Sequence, residues 1–178
     1  MPIRLPGLVL GLLFGFDAAA EPYSVPVDSD YPKNVYWGDT HLHTRNSADA
    51  YSLGNLNLTP ADAFRFAQGR ELIAHNGMRV QLRRPLDFLV VSDHAEYLGG
   101  FYRFNINDPL VQGTDAADKW QGFVDAGETA KVYATFVASM QDPENNPALP
   151  ESTRRTIWED VALTADEHNK PGQFTAFT

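Results

Sequence analysis

Trp37-Gly38-Asp39-Thr40-His41-Leu42-His43-Thr44 decides how this chain is read, and Asp87-Phe88-Leu89-Val90-Val91-Ser92-Asp93-His94 completes the reading. A strand turns successive side chains to opposite faces, so Asp39, His41 and His43 share one face while Leu42 takes the other. Two imidazoles two residues apart at a strand end can reach one metal ion from a rigid support. The second stretch holds a near-continuous apolar run, Phe88 to Val91, the pattern of a strand covered on both faces in a parallel sheet. It also ends in an acid followed by a histidine. Two strands that each deliver Asp and His at the carboxyl end point to a metal site at the mouth of an α/β barrel or sheet.

Working outward, the first strand is expected over residues 34–43, after an extended lead-in (21–33) that contains Pro22, Pro26 and Pro32. Residues 46–58 are polar and read as a loop. Thr59-Pro60-Ala61-Asp62 is a helix start, with Thr59 as N-cap, Pro60 at the first helical position and Asp62 near the positive end of the dipole. That helix runs to about Gln68, with Ala63, Phe64 and Ala67 inward and Gly69 ending it. Residues 71–84 suggest a hairpin turning at Asn76-Gly77. Val132, Phe136, Val137 and Met140 recur at helical spacing over 128–140. A further helix is expected over 153–167 on Ile157, Trp158, Val161, Ala162 and Ala165. Lys170-Pro171-Gly172 breaks it, and residues 173–178 begin another strand. Trp37, Trp120 and Trp158 read as packing residues. The order of elements is that of an α/β fold with parallel strands. Because the sequence stops inside an expected strand, it reads either as ending in a short C-terminal strand or as the front part of a longer protein.

The chain has 178 residues, 43% hydrophobic and 12% aromatic, as expected of a folded domain with a real core. Its net charge is −9 and it has no basic run, which argues against nucleic acid as the partner, since phosphate neutralisation needs clustered Lys and Arg. Residues 1–20 have the form of a secretory signal: Arg4, an apolar run from Leu8 to Phe16, then Ala18-Ala19-Ala20. That run is too short to span a bilayer, which takes about 20 residues. The expectation is export to the periplasm or beyond, with no membrane attachment after cleavage. There is no Cys, so stability cannot rest on disulfides and any metal must be held by His and carboxylate.

These motifs carry a resemblance. Asp39-Thr40-His41-Leu42-His43-Thr44, Ser47-x-Asp49 and Ser92-Asp93-His94 resemble the first two motifs of the polymerase-and-histidinol-phosphatase (PHP) superfamily. More narrowly, residues 35–44, Arg84-Pro85-Leu86-Asp87-Phe88 and Asp93-His94-Ala95-Glu96-Tyr97-Leu98-Gly99 resemble a bacterial branch labelled as a domain of unknown function. The resemblance covers residues 35–178. It implies the N-terminal part of a distorted seven-stranded β/α barrel, with two or three divalent ions (manganese, zinc or iron) and hydrolysis of a small anionic ester. On that resemblance His41, His43, Asp49 and His94 are metal ligands, and Asp39 and Asp93 orient the histidines. Residues 173–178 look like the strand that leads into a third motif, whose metal-binding Glu lies beyond Thr178.

The residues themselves leave some of this open. Asp49 serves either as a ligand or as a turn cap, and Glu96 either as a ligand, a base or second-layer support, or as a charge ahead of the next helix. Arg45 holds a substrate anion through its planar fork or is simply solvated. His75 reads as a turn residue and His168 as structural. The expected function is an exported metal-dependent hydrolase of phosphate-type esters. Its rivals are a sulfate-ester hydrolase, a degenerate metal-binding domain without turnover, and a fragment that does not fold stably alone because its strand edges are unpaired.

Overall fold

The computed structural model describes residues 33–142 and 148–178, so the expected signal (1–20) and nearly all of the lead-in lie outside the described residues. Residues 35–178 form one compact unit of mixed α/β structure. Its frame is a parallel three-stranded sheet in the order β1 (Gly38–Leu42), β4 (Phe88–Val91), β5 (Thr175–Phe177). Among the described residues the sheet is open, with β1 and β5 as its edges.

β1 is shorter than expected and begins at a glycine for a steric reason. A Cβ on Gly38 would sit 2.5 Å from the ring of Phe88, its partner on β4. The register slips between Asp39 and Leu42, where β1 departs from regular pairing with β4. β4 is central, but only Leu89 and Val91 are buried. The face bearing Phe88 and Val90 is half-open, so a strand expected to be covered on both sides is covered on one.

That covered face packs on α2 (Pro60–Ala67) and α6 (Glu151–His168), where Phe64, Ala67, Leu89, Val91, Ala165 and Phe174 form one cluster. The start of α2 follows its sequence closely. Thr59 Oγ1 accepts from the Asp62 N–H at 3.0 Å, and the Asp62 carboxylate accepts from the Thr59 N–H at 2.9 Å. The hairpin is also as expected: β2 (Leu72–Ile73) pairs antiparallel with β3 (Arg79–Val80), and Gly77 takes φ +85° at the turn.

A second core lies among helices that the sequence signals weakly. α1 (Ala48–Ser52) occupies what reads as loop, because Ala48 and Tyr51 are buried there. α3 (Gly100–Asn105) and α4 (Asp115–Asp125) were not expected, and α5 (Thr129–Met140) was. Together they enclose an aromatic cluster: Phe101 lies 5.4 Å from Trp120 edge-on and 5.8 Å from Phe136, and Tyr97 stacks on Phe101 at 5.4 Å. Such pairs add to the large area these rings bury. Of the three tryptophans only Trp120 is core; Trp37 is 59% and Trp158 52% exposed. Val137 and Met140 also face outward, because α5 contributes only Val132 and Phe136 to the cluster.

Candidate metal centre

β1 and β4 run parallel, so their carboxyl ends open on the same side and their following loops meet. Four hydrogen bonds join these loops. The Asp93 carboxylate accepts from the N–H of Thr44 and, at 2.7 Å, from its hydroxyl. The His94 N–H donates to Ser47 Oγ at 3.1 Å, and the Gly99 N–H donates to the Asn46 carbonyl at 2.7 Å. Thr44 and Ser47 are both buried, so these bonds form away from bulk water.

The joined loops bring His43, Asp49 and His94 together, with one potential ligand atom from each within 4.8 Å of the others. His43 Nδ1 lies 2.8 Å from Asp49 Oδ2, and His94 Nε2 lies 3.3 Å from the same oxygen. The His43 and His94 rings meet edge to face at 4.8 Å. His41 stacks on His43 at 4.9 Å and stands at the solvent edge of the group. The shared face expected for His41 and His43 is therefore seen.

Burial acts to raise the Asp49 pKa, but the Ser47 hydroxyl, His43 and the Ala50 N–H together outweigh it and hold that carboxyl at about 2. Asp49 is thus an anion at neutral pH. It also accepts from the Ala50 N–H at 2.6 Å, so the turn role and the place in the group coexist. Asp93 is driven the other way, upward, chiefly by its own burial, with the Thr44 bonds opposing.

The two acids expected to orient imidazoles bond other groups: Asp39 accepts from the His41 N–H at 2.9 Å, and Asp93 from both the N–H and the hydroxyl of Thr44. Each fixes the peptide that carries a histidine. Glu96 is exposed in the turn ahead of α3 and lines a surface depression with Tyr97, Leu149 and Arg154, outside the histidine group. Because α3 begins only at Gly100, Glu96 is not in its first turn. Arg45 is drawn away as well. Its guanidinium lies 3.5 Å over the Tyr102 ring and donates to the Asn57 carbonyl at 3.3 Å, and burial lowers its pKa among Tyr102, Asp62 and Arg103. His168 stacks on Phe64 at 5.4 Å in the sheet-covering layer.

Two residues gain roles that sequence reasoning did not assign them. Ser47 touches all three members of the group: it accepts from His94, donates to Asp49 and lies 3.4 Å from His43 Nδ1. Tyr97 takes φ +56°, unusual for a bulky side chain, while its ring is held in the aromatic core. That residue turns the chain from β4 into α3 just after His94. The sequence signal for each was its place inside a motif, Ser47 in Ser47-x-Asp49 and Tyr97 in the stretch from Asp93 to Gly99.

The molecule is thus an α/β protein whose neighbouring parallel strands present a His–Asp–His group at their carboxyl ends. The chain belongs to the family described as Protein of unknown function (DUF3604), matched over residues 30–178. No curated protein and no solved structure matches it. Among the described residues, no helix is long and apolar enough to cross a membrane.

Proposed function

We propose that this chain is part of an exported metal-dependent hydrolase of phosphate-type esters, with the sheet as the opening portion of a PHP-type barrel. The observation that carries the reading is the convergence of His43, Asp49 and His94 within 4.8 Å from two separate strand ends. The donor set fits a divalent ion. It is all nitrogen and oxygen, the chemistry that suits zinc, manganese or iron, and its one acid is already ionised. Metal–ligand bonds of about 2.0–2.2 Å place ligand atoms at separations of this order. His43, Asp49 and His94 would hold the ion, with His41 beside them. When bound, such an ion supplies Lewis acidity that polarises an ester oxygen and acidifies water. The chain's own contribution is to order the ligands: Asp39 and Asp93 fix the backbone on either side of His41 and His43, and Ser47 fixes Asp49 against His94.

Equilibrium dialysis against zinc and manganese, followed by metal analysis, tests the reading. Bound metal should be stoichiometric and lost in His43→Ala and His94→Ala, while circular dichroism stays unchanged. The loaded protein should then hydrolyse p-nitrophenyl phosphate or its diester faster than p-nitrophenyl sulfate. A folded protein that takes up no metal would overturn the proposal.

A further inference from the structure

The hairpin and α2 together line a cleft whose wall includes His43. On β2, Leu72 points the same way as Ala74, two residues on, and Val80 faces Leu72 across the register. These three small and medium apolar side chains look toward α2, while Ile73 between them is exposed. α2 answers with Ala63 and Phe66, one helical turn apart, and Leu58, just ahead of that helix, joins the lining. None of these six residues is fully buried, so the cleft is not filled by the protein's own core. It keeps a cavity of about 190 Å³. Its exposed lining is almost wholly apolar, and the one carboxylate in its wall, Asp62, is committed to Thr59 and Arg65. An apolar cavity of roughly 150 Å³ accepts benzene.

His43 belongs both to this wall and to the His–Asp–His group. We infer that the cleft seats the apolar portion, a single aromatic ring or short branched alkyl group, of a small anionic ester whose charged group meets the histidines. This rests on the metal-site reading above and names the substrate class for it. A ring carried by the substrate leaves water for an apolar wall, so aryl compounds should bind better than their methyl counterparts. The anion alone supplies no such preference.

The test uses metal-loaded protein and two non-hydrolysable probes, phenylphosphonate and methylphosphonate, with affinities measured by calorimetry. Phenylphosphonate should bind about 10- to 100-fold more tightly, the preference expected from burying one ring. Ala74→Phe fills the cleft from the hairpin and should bring the two probes to equal affinity with metal content unchanged. Leu58→Phe fills it from a residue outside the hairpin and keeps the test available if the first variant folds poorly. Equal affinity of the two probes in the metal-loaded parent would overturn the cleft assignment and leave the metal site standing. Failure to bind metal at all would overturn the site reading instead, and phenylphosphonate would then show no His94-dependent binding.

Discussion

A single hydroxyl, Ser47 Oγ, stands where the three convergent side chains meet, and it is fully buried. Removing it leaves the His94 N–H without its acceptor and Asp49 without one of the bonds that hold it ionised. Ser47→Ala should therefore weaken zinc or manganese binding by roughly 10- to 100-fold, the usual cost of losing a group that orients ligands. Calorimetric titration of the variant checks this, and unchanged affinity would return Ser47 to a purely local role. Asp93→Asn tests the opposite loop. It should weaken metal binding without unfolding, because Asp93 fixes the peptide after His43 through Thr44. A melting curve beside the titration separates the two effects. Asp49 was joined to the histidines only by the family resemblance, but His41, His43 and His94 were legible in the sequence from strand alternation and the acid–histidine ending of the second strand. Arg45 was not, since nothing in the linear text says that a Tyr102 ring from α3 lies beneath it.

At the scale of elements, α2 is the best-written part of the chain and the easiest to perturb. Its first turn depends on Asp62, whose pKa burial would raise, but which bonds from the Thr59 N–H and hydroxyl and from Arg65 bring below the usual value. A carboxyl depressed in the folded state stabilises fully above its unfolded pKa of about 3.9 and loses that contribution as pH falls through the folded value. Asp62→Ala should thus cost about 1 kcal/mol near neutral pH, and less below the unfolded pKa. Urea unfolding at pH 7 and at acid pH checks both sign and window. The second core makes the contrast. Phe101→Ala should cost about 3–5 kcal/mol, because the ring is buried against Tyr97, Trp120 and Phe136. Helices α1, α3 and α4 were hard to foresee. α1 and α3 are only 5 and 6 residues long, too short to show a period, and the buried stripe of α4 is half alanine, with Ala116 and Ala117 beside Trp120 and Val124, so its apolar signal is weak. Their stability comes from rings contributed by one another, which no local window contains.

Across the whole molecule, one face of the sheet is packed and the other is not. Val35, Tyr36 and Trp37 are exposed ahead of β1, Phe177 is 49% exposed on β5, and Phe88 is half-open between them. Exposed apolar surface beside open strand edges favours association. This 178-residue chain should self-associate with rising concentration in sedimentation experiments, and Phe177→Lys should shift it toward monomer. A concentration-independent monomer would show that the net charge of −9 suffices to keep copies apart. The bonds between the loops after β1 and β4 have a further effect of a different kind. Because Thr44 is tied to Asp93, Ser47 to His94 and Asn46 to Gly99, neither loop can swing out without the other. Their amide protons should exchange with solvent as one cooperative set. The positional freedom of His43, Asp49 and His94 is then surrendered when the chain folds, and little of it remains to be lost when a guest ion arrives.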